Sequence, residues 1–179
     1  MAEGREFVSL RIAVLTVSDT RIFADDKSGQ TLSDRITGAG HSVADRQIVK
    51  DDIPAIREIA EMWGLRPDID VIISTGGTGL TGRDVTIEAM RPLFEKEIEG
   101  FGTLFHMVSF QKIGTSTVQS RATAGVFKGK YIFCLPGSPG ACRDAWDEIL
   151  KFQLDYSHLP CNFVEIMPRL EEHRQRKKG

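Results

Sequence analysis

Cys134, Cys142 and Cys161 are the only thiols in this 179-residue chain. They are odd in number, far apart, and in no CxxC or Cys/His ligand spacing. That excludes a disulfide scaffold and a cysteine zinc site, and points to reduced thiols in a cytoplasmic protein. Cys134 lies in an apolar, strand-like run and reads as core. No apolar run nears the ~20 residues that a bilayer span needs, and residues 1–6 lack a signal-peptide pattern. Histidine is scarce too: His41, His106, His158 and His173 share no triad or ligand spacing. Without a G-x-S-x-G elbow, serine hydrolase chemistry lacks its nucleophile. Neither charge sign dominates, and a net charge of −2 creates no basic field for nucleic acid. Internal repeats, low-complexity segments and linkers are absent as well.

What remains is an ordinary composition, 41% hydrophobic and 27% charged, that suits one globular domain. We place that domain at residues 1–165, with a charged tail over 166–179. The basic run Arg174–Lys178 reads as a solvated, frayed terminus rather than a binding arm.

Leu10–Val17 is a buried-strand pattern, ended by Ser18–Asp19–Thr20–Arg21. A helix is predicted over Gly29–Ala39, capped by Ser28 and stopped by Gly40. Ser42–Val49 is a second strand. Asp52 and Pro54 open a helix whose Ile56, Ile59, Ala60 and Trp63 recur at helical spacing, with Gly64 closing it. Asp70–Thr75 is the third strand. Thr86–Phe94, disturbed by Pro92, and Glu99–Ile113 are predicted helices, and Val118–Gly125 reads as a short one. Gly125–Phe133 reads as a hairpin with its turn at Lys128–Lys130. Tyr131–Leu135 then meets the Pro136–Gly140 turn and a helix with an apolar stripe from Ala141 to Phe152. This alternation predicts an α/β fold, a three-layer sandwich. Its central sheet is mostly parallel, with helices on both faces and an antiparallel edge. Such sheets bind ligands beyond the carboxyl ends of their strands.

The most informative stretch is Val71–Asp84. Its apolar run stops at Gly76–Gly77–Thr78–Gly79, with Arg83 and Asp84 following. Glycines let backbone N–H groups approach an anion, and a helix N-terminus adds positive potential. Gly77-x-Gly79-x-x-Gly82 formally matches a dinucleotide fingerprint. It follows the third strand, however, and no strand-end acid lies ~20 residues on, so a nicotinamide enzyme is disfavoured. No GK[ST] follows, which excludes a Walker loop. A tight turn without a ligand is the plain alternative.

Asp51, Asp52 and Asp84 fall at the same edge. Two carboxylates beside a phosphate site are typical holders of Mg²⁺; Asp52 and Asp84 equally suit helix capping. Ser116, Ser120 and Arg121 gather hydroxyls and a phosphate-gripping guanidinium, or serve only as a cap with a surface arginine. Pro136–Gly137–Ser138 offers a helix cap with N–H groups toward a ligand, or a plain turn.

These residues, in order, resemble the MoaB/MogA family of molybdopterin-binding proteins of molybdenum cofactor synthesis, most like its MoaB branch. The supports are Ser18–Arg21, Val49–Asp51, Thr75–Thr81, Glu99–Gly102, Ile113–Thr117, Gln119–Ala122, Leu135–Ser138 and Pro160–Phe163. They cover about residues 10–163. The resemblance implies Mg²⁺-dependent adenylation of molybdopterin by ATP, giving adenylyl-molybdopterin and pyrophosphate ahead of molybdate insertion. It also implies a homotrimer or homohexamer working with other proteins of the pathway. Asp51 and Asp84 would be the catalytic, Mg²⁺-holding acids. Ser18, Asp19, Gly76, Gly77, Thr78, Gly79, Ser116, Ser120, Arg121, Pro136, Gly137 and Ser138 would line the molybdopterin and nucleotide pocket. Lys50 replaces the proline usual before the first acid in the family's adenylyltransferases, whereas Arg83 before Asp84 matches them. A carrier that binds molybdopterin without turnover shares every pocket motif except the need for two metal-holding acids.

Overall fold

A computed structural model describes residues 4–175. Six strands form one sheet in the order β2-β1-β3-β6-β5-β4. They are β1 (Arg11–Val17), β2 (Ser42–Val49), β3 (Val71–Thr75), β4 (Lys96–Glu97), β5 (Thr123–Phe127) and β6 (Lys130–Leu135). β2, β1, β3 and β6 run parallel, while β5 and β4 add an antiparallel edge. The main helices are α1 (Lys27–Gly38), α2 (Ile53–Leu65), α3 (Thr86–Met90), α4 (Glu99–Ile113) and α5 (Pro139–Ala145), and short helical turns at Phe163–Ile166 and Glu172–Gln175 make up a C-terminal helical segment. A π-turn over Trp146–Leu150 carries α5 on into Lys151–Gln153.

Alternation along the strands splits the core into two layers, because successive side chains leave opposite faces of a sheet. Ile12, Val14, Ile73 and Phe133 pack with Leu32, Ile36, Phe105 and Trp146 of the α1/α4/α5 side. Ala13, Leu15, Ile72 and Ile132 pack with Ile56, Ala60, Trp63 and Met90 of the α2/α3 side. Burial on both faces is why β1, β3 and β6 read as unbroken apolar runs. Trp63 is fully buried, and its indole N–H donates to Asp45 Oδ2 at 2.9 Å. Burying a side chain of that size is worth about 2–3 kcal/mol. From β1 the chain crosses over α1 to β2 on one side. From β2 it crosses over α2 to β3 on the other side of β1. The strand order therefore reverses between β1 and β3, which is where a crevice opens.

Several local expectations change. α1 begins at Lys27, and its cap is Asp26, whose carboxylate accepts from Gly29 N at 2.9 Å. Ser28 instead donates to Gly137 O at 2.8 Å. Gly64 lies inside α2, where the Phe127 ring sits so close that a side chain would meet it. Pro92 does end the α3 helix early, since Arg91–Leu93 tightens to a 3-10 turn. Val118–Gly125 is not a helix: Gly114–Gln119 is a 3-10 segment and Thr123 opens β5. Pairing with β6 wins there because it buries all five β5 residues. The two-residue edge strand β4 carries no sequence pattern long enough to announce it. Of the basic tail, Arg174 pairs with Glu95 at 3.1 Å and is not frayed. Residues 176–178 lie outside the described residues. No helix among the described residues is long and apolar enough to cross a membrane.

Asp26 holds the β1–α1 corner. Its side chain is fully buried and accepts from Thr16 Oγ1 at 2.8 Å and Arg46 at 2.9 Å, with Arg21 at 3.8 Å. Burial opposes its charge, but the Arg46, Gly29 and Thr16 hydrogen bonds win and hold its pKa below the usual value. Asp26→Ala should cost about 3 kcal/mol, because it strands the Arg46 charge and removes a cap. The loss should be greatest at neutral pH and shrink as acid protonates the wild-type carboxyl, as urea melts at pH 7 and pH 3 would show.

Candidate functional site

Beyond the ends of β1, β3 and β6, three loops meet around a cavity of ≈ 600 Å³. β1 delivers Ser18, Asp19, Thr20 and Arg21. β3 delivers Gly76 and Gly77, and the turn after β6 delivers Gly137. Parallel register makes this convergence automatic: Thr75 pairs with Thr16 on one side and Leu135 on the other.

The floor is backbone. Gly76 has φ +99° and Gly77 has φ +62°, in the region that side-chain-bearing residues avoid. A side chain on Gly76 would run into the Val17 carbonyl. One on Gly77 would bring its Cβ 2.7 Å from Asp51 Oδ1 and against the Thr86 hydroxyl. Thr86 Oγ1 donates to Gly76 O at 2.8 Å and Thr75 Oγ1 to Pro136 O at 2.9 Å, pinning the turn from both sides.

One wall is acidic. Asp51, Asp19 and Asp84 all face the cavity, with Arg83. Asp51 N donates to Asp19 Oδ1 at 3.3 Å, and Arg83 ion-pairs with Asp19 across the mouth. Asp84 accepts from Thr81 N at 2.9 Å and Thr81 Oγ1 at 2.7 Å. Burial opposes its charge, but these bonds and that from Gly79 N keep its pKa below the ordinary range. It therefore organises its own loop and does not cap α3, whose N-cap is Val85. Burial, then the charges of Asp19 and Asp84, push the Asp51 pKa up. Asp52 is a cap, accepting from Ala55 N at 3.0 Å.

The proposed site residues divide. Ser18, Asp19, Asp51, Gly76, Gly77, Asp84 and Gly137 line the one cavity. Thr78, Gly79, Pro136 and Ser138 flank it without lining it. Ser138 caps α5 by accepting from Ala141 N at 3.1 Å. Ser116 is exposed on the 3-10 segment, and Ser120 O takes a hydrogen bond with the His106 ring at 2.9 Å. Arg121 turns inward to protein: it donates to Thr78 O at 2.9 Å and Gly79 O at 3.1 Å, and pairs with Glu88 at 2.5 Å. Its guanidinium braces the glycine loop from outside the cavity.

Arg21 and Arg83 line the cavity but fall outside the residue-level expectation. Arg21 Nη1 donates to Ser28 Oγ at 3.0 Å and Nη2 to Gly137 O at 3.2 Å, tying two loops together. The Ser18–Arg21 motif marks its position, but not that the arginine spans two loops. No cysteine is poised as a nucleophile among the buried pair: burial pushes Cys134 up to about 12 and Cys142 up to about 11. A second cavity, ≈ 380 Å³, lies between β4 and the C-terminal helical segment, away from the strand ends.

Asp51→Asn should stabilise the fold at pH 7. The folded carboxyl has a raised pKa, so its ionisation costs stability as pH rises above the usual carboxylate value near ~4. The gain in Tm should vanish below that pH, and melts from pH 3 to 8 would read it.

A family model described as "Probable molybdopterin binding domain" matches residues 13–156. Molybdenum cofactor biosynthesis protein B of Escherichia coli (strain K12) is 52% identical over 158 residues, covering 88% of this chain and 93% of that protein. A crystal structure of a molybdenum cofactor biosynthesis protein B superposes with a TM-score of 0.84 at 39% identity, covering 94% and 99% of the two chains. The tungsten cofactor synthesizing protein MoaB from Pyrococcus furiosus superposes with a TM-score of 0.70 at 37% identity, covering 79% of this chain and 91% of that one. On that match and those identities, the chain belongs to the MoaB/MogA family of molybdopterin-binding proteins.

Proposed function

We propose that this protein binds molybdopterin in the strand-end cavity as a component of molybdenum cofactor synthesis. The observation that carries this reading is the glycine floor at Gly76, Gly77 and Gly137, open to a cavity of ≈ 600 Å³. That volume lies within the range typical of small-molecule sites, roughly 300–1,000 Å³. The terminal phosphate of the ligand would take the backbone N–H groups of Gly77 and Gly137, because Gly76 N is spent on Leu135 O, with Arg21 at its side.

The acidic wall favours a second reading, adenylation by ATP. Among the described residues no three His, Cys, Asp or Glu side chains form a ready-made metal cluster. Mg²⁺ is usually held by one or two carboxylates plus substrate phosphates, so Asp51 and Asp84 fit as its protein ligands. When bound, Mg²⁺ would neutralise charge on the triphosphate. In that reaction a phosphate oxygen of molybdopterin bonds to the α-phosphorus of ATP while the α–β bridging P–O bond breaks, releasing pyrophosphate. The protein's share is to position both phosphates. Arg83, which lines the cavity and pairs with Asp19, would supply positive charge to the leaving group.

α4 exposes Leu104, Met107, Phe110 and Ile113 at three-residue intervals. Exposed apolar side chains of this size support self-association into a homotrimer or homohexamer.

Anaerobic titration should give saturable molybdopterin binding that Gly77→Val reduces at least ten-fold. Absence of saturable binding to the wild type would reject the reading. Adding Mg-ATP to the bound complex separates the two roles: pyrophosphate release supports adenylation, and binding without release supports a carrier. Phe110→Glu should shift the gel-filtration mass toward the monomer.

A further inference from the structure

Beside the main cavity lies a smaller one of ≈ 330 Å³, and the two share Ser18, Asp19 and Arg21. Ile22, Phe23 and Ile48 border it, with Lys50 at its rim. These three apolar side chains belong to neither core layer, and Ile22 and Phe23 are 63% and 58% exposed. A core does not explain them, and neither does a flexible loop. The Arg46 guanidinium stacks 5.4 Å from the Phe23 ring centroid. Arg46 is itself fixed by Asp26 at 2.9 Å and Gln30 at 2.7 Å. The aromatic ring is thus braced by a buried ion pair and still presents more than half its surface to solvent.

We propose that Ile22, Phe23 and Ile48 form a ledge for the flat heterocycle of a ligand whose phosphate rests on the glycine floor next door. This deepens the molybdopterin reading and rests on it for the phosphate half. The shared wall of Ser18, Asp19 and Arg21 lets one molecule span both cavities, with Arg21 at the junction where ring and phosphate arms meet. A fused bicyclic ring stacks on a phenyl face irrespective of its hydrogen-bonding edge. The exposed Lys50 ammonium can donate to a ring carbonyl from the rim. Pterin and purine share this chemistry.

The test uses the full chain and three probes: molybdopterin under anaerobic conditions, ATP with Mg²⁺, and inorganic pyrophosphate. Phe23→Ala should weaken a stacked heterocycle about ten-fold and leave pyrophosphate binding and Tm unchanged. Phe23→Trp should restore affinity, with the new indole fluorescence quenched on binding. Loss confined to molybdopterin names a pterin ledge, and loss confined to ATP names a purine ledge. Unchanged affinity for both heterocycles in Phe23→Ala, or an equal loss for pyrophosphate, overturns the ledge. So does a wild type that binds neither heterocycle. A wild type that binds ATP but not molybdopterin rejects the molybdopterin reading while the Phe23 effect on ATP still decides the ledge.

Discussion

The close approach of three backbones at Gly76 is the constraint on which the site depends. Gly76 lies directly against the Val17 carbonyl, and the Gly137 backbone packs so tightly on Gly76 that a Cβ there would sit 3.0 Å from its Cα. Chain this close has no room for side chains, and the positive φ values would strain any residue that had one. Its hydrogen bonds are completed by its neighbours: Gly76 N donates to Leu135 O at 3.0 Å, and Thr86 N donates to Gly77 O at 2.9 Å. The turn is therefore part of the sheet's own bonding, and its shape is set before any ligand arrives.

Charge is arranged around that floor in two tiers. The inner tier is the buried Asp26, which orders the β1–α1 corner through Thr16, Gly29 and Arg46. The outer tier is the wall of Asp19, Asp51 and Asp84, of which Asp19 is paired with Arg83 and Asp84 is bonded to Thr81. Asp51 carries the least internal compensation, which is why burial and its acidic neighbours raise its pKa. A wall with one weakly compensated carboxylate beside a backbone anion floor suits a ligand that brings phosphate and countercation together.

Much of this was legible in the residues. The apolar runs of β1, β3 and β6 announced a sheet buried on both faces, and Asp52 with Pro54 announced α2. The glycines before Asp84 announced a backbone turn. Where the reading failed, a local signal lost to a tertiary one. Ser28 has good capping chemistry, but Asp26 has the same chemistry and a buried arginine as well. Gly64 looks like a stop, yet it is small because Phe127 packs on it. Val118–Gly125 lacks breakers, but its second half gains more from pairing with β6. Arg121 has the chemistry of a phosphate grip, whereas three carbonyls of the loop and the Glu88 carboxylate hold it in place.

By itself the sequence determined the layer architecture and the strand-end loops, because hydrophobic period and turn chemistry are local properties. It also determined the family, through motifs kept in order along the chain. Only the tertiary structure decided which side chains of those loops face the cavity and which are spent on other loops. It likewise decided that Arg21 spans two loops, and that Phe23 stands braced and exposed beside the floor. Those outcomes depend on distances between residues as far apart in the chain as Arg21 and Gly137, which no local pattern encodes.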